Sequence, residues 1–178
     1  MKSFAILSGL ALAAMVAAVP APDSEAPIVH SDFSFVEWVD TLIADPENAL
    51  SPEEAIAAFT ASSASLSKRQ TFGNCQQLSQ YPASIPDAVW CINNLAARGQ
   101  AGQNCNVDGY GILQVKHGKA QIHTVKGGNS PLKSVNCNGI ARAGGMVMDR
   151  CTRGDNTVTG IAYVPQGGVS VIIQGPNT

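Results

Sequence analysis

Apolar and polar positions in the second half of the chain alternate between helical and strand-like spacing. Residues 88–98 carry apolar side chains at the spacing of an amphipathic helix, and Gly99 follows them as a typical helix-ending residue. A second helical stretch runs from Ser134, its predicted N-cap, to about Arg150. The Gly144-Gly145 pair inside it would allow the backbone to lie close to a neighbouring element. The pattern therefore predicts two amphipathic helices.

Strand-like stretches lie between and after these helices. Residues 111–116 and 119–126 flank the turn His117-Gly118, and residues 157–164 and 169–174 flank a second Gly-containing turn. The order is then helix, hairpin, helix, hairpin. A sheet with two helices on one face buries every apolar stripe at once. The sequence thus predicts an α+β fold, a two-layer sandwich in which an antiparallel sheet of about four strands carries both helices on one face.

The first part of the chain has a different pattern. A positive start, Met1-Lys2, precedes a mostly apolar run that ends before Pro20, which is typical of a secretory signal peptide over residues 1–18. Residues 35–43 then place apolar side chains at helical spacing. A further helix is predicted to begin after Ser51, with Glu54 completing a capping box. No later stretch is long and apolar enough to span a membrane.

Charge changes abruptly at Lys68-Arg69. Residues 19–67 contain nine acidic side chains and no Lys or Arg, whereas residues 70–178 contain four acidic and eight basic side chains. A dibasic pair at such a boundary is typical of a processing site. We therefore expect a signal peptide (1–18), an acidic pro-segment (19–69) that ends in Lys68 and Arg69, and a mature domain (70–178). The net charge of +4 on the mature domain (8 − 4) is scattered, so no nucleic-acid partner is expected.

All five cysteines lie after the dibasic pair. In a small secreted domain they predict a disulfide framework with one cysteine left over. If the two helices run antiparallel, Cys91 would approach Cys151 and Cys105 would approach Cys137, which leaves Cys75 unpaired. The domain would then be a monomer, or a dimer linked through the odd cysteine. Five cysteines allow many other pairings.

Candidate catalytic chemistry is sparse. His117 and His123 are the histidines of the mature domain, and two such side chains could perform acid–base work on a phosphodiester. No partner that would orient them is evident, so a turn residue and a half-exposed strand residue are the favoured interpretation. No Cys/His spacing suits zinc, and no phosphate-binding loop or nucleophile elbow occurs. We expect no metal, no cofactor and no catalytic residues.

A family resemblance extends over most of residues 70–178. The run Asn74-Cys75-Gln76-Gln77-Leu78, a helix that carries Cys91, and the late helix between Cys137 and Cys151 resemble small secreted fungal cysteine-rich proteins. The most similar are necrosis-inducing-factor-like effectors and the α/β killer toxins of smut fungi.

This resemblance implies a secreted, extracellular effector or toxin that contributes to virulence. It would act through its surface on a cell-surface component of host or competitor cells. Two alternatives stay open, a small secreted nuclease that uses His117 and His123, and a wall-associated structural protein.

Overall fold

The computed structural model of the chain describes residues 31–63, 75, 81–164 and 167–177. The described residues form four helices and eight strands. The helices are α1 (Phe35–Ala44), α2 (Pro52–Ser63), α3 (Ile85–Gln100) and α4 (Cys137–Cys151). The strands are β1 (Ala83–Ser84), β2 (Asn104–Asn106), β3 (Ile112–His117), β4 (Ala120–Lys126), β5 (Ser134–Asn136), β6 (Thr157–Val158), β7 (Gly160–Tyr163) and β8 (Val169–Gln174).

The main sheet has four antiparallel strands in the order β3-β4-β8-β7. Buried and partly exposed side chains alternate along β4 and β8, as expected for a sheet that is covered on one face. Helix α3 packs over β3 and β4, and α4 packs over β7 and β8. The fold is therefore α+β, as predicted, and both central helices cover the same sheet face.

Two short ladders complete the cysteine-containing domain. Strand β1 pairs with β6, and β2 pairs with β5. Because Ser134 lies in β5, it is not the N-cap of α4, and the prediction for that helix start is wrong by two residues. Asn136 caps α4 instead, since its side chain accepts a 2.8 Å hydrogen bond from the Asn138 amide.

Helix α3 begins at a conventional cap and ends later than predicted. The Ser84 side chain accepts a 3.3 Å hydrogen bond from the Asp87 amide, and Pro86 lies in the first turn. The helix continues past Gly99 to Gln100. A Cβ atom on Gly99 would lie 2.4 Å from the backbone nitrogen of Asn138. Glycine is present there because α4 begins against it, and not because the helix ends.

Residues 31–63, here called the N-terminal helical segment, add a third layer. Helix α1 spans the predicted stretch, and it packs on α3 and α4, while α2 packs on α3. The predicted capping box is confirmed at the start of α2. Glu54 accepts 2.8 Å hydrogen bonds from both the amide and the hydroxyl of Ser51, and Ser51 Oγ accepts one of 3.3 Å from the Glu54 amide. The central helices therefore lie between the sheet and this segment.

One hydrophobic core runs through all three layers. It joins side chains of the N-terminal helical segment, such as Phe35 and Phe59, to side chains of α3, α4 and the sheet, such as Ile92, Val147 and Ile173. Among the described residues, no helix combines the length and apolar character that a membrane crossing requires.

Candidate functional site

The structure corrects the predicted disulfide pairing. Cys75 is bonded to Cys151, and Cys105 is bonded to Cys137. The second bond is the predicted one, whereas the predicted Cys91–Cys151 bond and the unpaired Cys75 are wrong. The reason is the orientation of α3: Cys91 lies on its sheet-facing side, with Sγ 3.9 Å from the Ala120 carbonyl oxygen of β4.

The unpaired thiol is Cys91, which is fully buried. Burial raises the pKa of this thiol to about 12. A thiol with such a pKa is almost entirely protonated near neutral pH, so it is a poor nucleophile. A buried Sγ also cannot reach a second chain, and in this fold a dimer linked through the odd cysteine is excluded.

His117 belongs to a small surface cluster with two residues of α3. Its ring stacks on Trp90 at a centroid distance of 4.1 Å, and its Nε2 lies 3.8 Å from Oδ1 of Asp87. Burial raises the pKa of Asp87, but hydrogen bonds from Ser84 and Lys119 outweigh it and leave the pKa below its usual value. The cluster is half-exposed, and its carboxylate is held by the start of α3 and the β3–β4 turn.

His123 occupies a different environment in the middle of the sheet. It lies opposite Leu113 of β3 and Ile172 of β8. Its Nδ1 is 3.3 Å from the Gly111 carbonyl oxygen, and its Nε2 is buried without a hydrogen-bond partner among the described residues. Both of its cross-strand neighbours are thus apolar.

The two histidines lie on opposite faces of the sheet. His117 is in register with Ala120, whose side chain points to the helices, and residue 123 is three positions further along the same strand. Side chains of a strand alternate between faces, so an odd separation places them on opposite sides. The structure does not bring His117 and His123 together, and they cannot act on the same scissile bond.

A polar contact of three hydrogen bonds joins α1 to α4. Asp149 Oδ1 accepts a 2.6 Å hydrogen bond from the Phe35 amide, and Oδ2 accepts bonds of 2.9 Å from Ser34 Oγ and 3.2 Å from the Val36 amide. The carboxylate therefore satisfies free amides at the positive end of α1. Burial raises the pKa of Asp149 and outweighs these hydrogen bonds, and the charge of Glu37 raises it further.

The other end of α1 is also held by the cysteine-containing domain. Gln100, the last residue of α3, donates hydrogen bonds from Nε2 to the carbonyl oxygens of Leu42 and Ile43. Arg142 of α4 forms an ion pair with Asp40 on the side of α1. Both termini and one flank of α1 are thus contacted by polar groups that belong to α3 and α4.

The contact residues of α4 form one stripe. Arg142, Gly145 and Asp149 are spaced by three and four positions, which places them on one face of a helix. A Cβ atom on Gly145 would lie 3.0 Å from the Phe35 carbonyl oxygen and 3.1 Å from Val36 Cα. The close backbone approach that the Gly144-Gly145 pair predicts is therefore present. We call the face of α3 and α4 that α1 covers the helix-docking face.

The sequence pattern does not point to Asp149 or Gln100. One signal for Asp149 exists in the sequence: it lies in the last turn of α4, where the helix dipole disfavours an acidic side chain. An acidic side chain at that position is expected to have a hydrogen-bond donor or a cation as its partner elsewhere in the fold. The Phe35 amide that binds Asp149, however, is 114 residues away in sequence, so no local sequence pattern predicts this contact.

The remaining features are the processing site with the signal peptide, possible metal ligands, and the ion pair between Lys126 and Asp108. The dibasic pair Lys68-Arg69 and the signal peptide, residues 1–18, lie outside the described residues. In the described part of the chain, no group of three or more His, Cys, Asp and Glu side chains is placed to hold a metal ion. Lys126 is paired with Asp108 at 2.6 Å, where it ties β4 to the loop before β3.

The chain matches a known protein family over its cysteine-containing part. A family model described as a domain of unknown function (DUF8794) matches residues 70–175. The matched region begins at Gln70, the residue that follows the dibasic pair, and leaves out the N-terminal helical segment. No curated protein and no solved structure matches the chain.

Proposed function

The chain belongs to the family of the domain of unknown function DUF8794, and for this member we propose a secreted proprotein whose mature domain, residues 70–178, is an effector or toxin. The mature domain acts on host or competitor cells through its surface and without catalysis. The observation that carries this proposal is the position of the N-terminal helical segment. It precedes a dibasic pair, lies outside the family match, and covers the helix-docking face.

Secretion and processing are supported by two features. The two disulfides are of the kind that persists in oxidising compartments. The family match begins immediately after Arg69, so the domain boundary drawn from the charge pattern coincides with that of the family. A pro-segment that covers part of the mature surface until cleavage is consistent with a protein that acts on cells.

Action through a surface is supported by the distribution of reactive side chains. The two histidines lie on opposite faces of the sheet, and the Cys91 thiol is buried with its pKa raised to about 12. In contrast, Trp90 is 40% exposed and Tyr163 is 66% exposed. Exposed aromatic side chains of this kind are typical contacts of binding surfaces.

The double variant His117→Ala, His123→Ala separates the two classes of function. If the protein works by its surface, growth inhibition or cell death should stay within about tenfold of the unchanged protein, because general acid–base residues contribute roughly 10²–10⁴-fold. The dose for half-maximal effect is the quantity to measure, with Lys116→Ala as an exposed control and circular dichroism as the check on folding.

A loss greater than about a hundredfold in a folded double variant would favour the nuclease alternative. Absence of any effect of the unchanged, processed protein on cells would contradict the effector proposal itself.

Processing gives an independent prediction. Intact-mass analysis of the secreted protein should find a chain that begins at Gln70, because the dibasic pair follows a long acidic stretch and precedes the family match. Substituting Lys68→Ala and Arg69→Ala should leave the pro-segment attached. If only the uncleaved chain is secreted from the unchanged gene, the proprotein proposal is wrong.

A further inference from the structure

We propose that the helix-docking face is a binding site for an amphipathic helix of a partner protein, and that α1 is its internal occupant. Cleavage after Arg69 makes this occupant exchangeable. The inference rests on the proposed function, since it names the surface through which the mature domain would act.

The face contacts both ends of a bound helix. Asp149 accepts three hydrogen bonds from the start of α1, and Gln100 donates to two carbonyl oxygens at its end. Two of the bonds to Asp149 and both bonds from Gln100 involve backbone groups that a helix cannot satisfy by itself, and the third bond to Asp149 comes from the Ser34 hydroxyl. The backbone groups exist in any helix of suitable length, so these contacts select for a helix, and the Ser34 contact favours a hydroxyl residue at its N-cap. A helix of 10 residues, like α1, is about 15 Å long.

Gly145 beneath α1 and Arg142 beside it restrict the side chains that a bound helix can carry. A Cβ atom on Gly145 would lie 3.0 Å from the Phe35 carbonyl oxygen and 3.1 Å from Val36 Cα, so a larger residue at this position would keep the bound helix from lying as close. Three side chains of α1 are buried, and they are the first, fourth and fifth residues of the helix: Phe35, Trp38 and Val39. Arg142 pairs with an acid, Asp40. The partner is therefore a helix with large apolar residues at this spacing and an acidic residue beside them.

No covalent bond retains α1 after cleavage. The disulfides join Cys75 to Cys151 and Cys105 to Cys137, and all four cysteines follow Arg69. Residues 31–63 are then held only by packing, hydrogen bonds and the ion pair. Bound non-covalently, the segment can be replaced by another helix that makes the same contacts.

The test uses the full chain, cleaved in solution by a protease that cuts after Lys-Arg. A fluorescently labelled synthetic peptide of residues 31–63 is added to cleaved and to uncleaved protein, and fluorescence anisotropy is followed. The labelled peptide should enter the cleaved protein. In the uncleaved protein the tethered segment competes at high effective concentration, so entry should be at least tenfold lower.

Matched variants test the contacts. A peptide with Phe35→Ala and Trp38→Ala should bind at least tenfold more weakly, whereas Glu53→Gln, an exposed change in α2, should bind normally. On the domain side, Asp149→Ala should weaken peptide binding at least tenfold, and Asp108→Ala, an exposed acid paired with Lys126, should not. An unrelated alanine-based helix with Phe, Trp, Val and Asp at the α1 spacing should compete, and the same helix without the aromatic residues should not.

Several results would overturn the inference. The first is that the labelled peptide does not enter a fully cleaved, folded protein, or that it enters the uncleaved protein equally well. The second is that the double-alanine peptide binds as well as the unchanged one, or that the alanine-based helix fails to compete. Loss of the circular dichroism spectrum on exchange would show that residues 70–178 do not stay folded without α1, so that α1 is not an exchangeable ligand. Because no cells are used, these outcomes are independent of the cell assay on the histidine variant.

Discussion

Replacing Phe35 with alanine is expected to lower the free energy of unfolding of the uncleaved chain by about 3–5 kcal/mol. Phe35 is fully buried, and its ring contacts those of Phe33, Trp38 and Phe59 at centroid distances of 5.1, 6.2 and 5.2 Å. Truncation removes these contacts and leaves a cavity between α1, α2 and the helix-docking face. Urea unfolding followed by circular dichroism measures the change.

Tyr110→Ala is the matched control, because it removes an aromatic ring that is 90% exposed. Its effect should be within about 0.5 kcal/mol. Equal effects of the two variants would show that the N-terminal helical segment does not contribute to the stability of the uncleaved chain.

Removal of the Cys75–Cys151 disulfide is expected to cost about 2–5 kcal/mol. The variant Cys75→Ala, Cys151→Ala opens a bridge with a sequence separation of 76 residues, against 32 for Cys105–Cys137. The chain-entropy relation assigns the longer loop about 0.8 kcal/mol more stabilisation. The same unfolding experiment on both double variants, with and without reductant, measures the two costs.

Cys91→Ala serves as the control for the loss of a cysteine without the loss of a bridge. Reductant should lower the stability of this variant as much as that of the unchanged protein. Thiol labelling of the unchanged protein should find no reactive cysteine when it is native and one after denaturation, since Cys91 is fully buried. Native labelling of Cys75, or a melting curve that reductant does not alter, would contradict the disulfide assignment.

Cleavage after Arg69 would change what the Phe35→Ala variant measures. Before cleavage, α1 is part of one chain, and its packing energy contributes to folding. After cleavage the same contacts determine how long the pro-segment stays bound. Asp149 adds a pH dependence to folding of the uncleaved chain: burial raises its pKa above the ordinary value, so the folded chain takes up a proton more readily than the unfolded chain. The folded form is then favoured as the pH falls and loses this advantage as the pH rises through the raised pKa.

The sequence by itself determined the local elements. The start of α2 follows from Ser51 and Glu54, three positions apart, and the β3–β4 hairpin follows from a Gly-containing turn between two strand-like runs. Helix α1 follows from apolar spacing within 10 residues. In each case the interacting groups are near each other in the chain, so the pattern contains the physical cause. The α+β class follows as well, because amphipathic stripes of these two periods can be buried together in few ways.

Only the tertiary structure decided which distant groups meet. Cys151 bonds to Cys75 and not to Cys91, because the side of α3 that carries Cys91 faces the sheet. His117 and His123 lie on opposite faces of the sheet because His117 pairs with Ala120, an odd number of positions from residue 123. This pairing is known only once the strand register is fixed. The partners of Asp149 are more than 110 residues away in sequence. Such contacts depend on the relative orientation of whole elements, and that orientation comes from packing of the entire core, which no local spacing records.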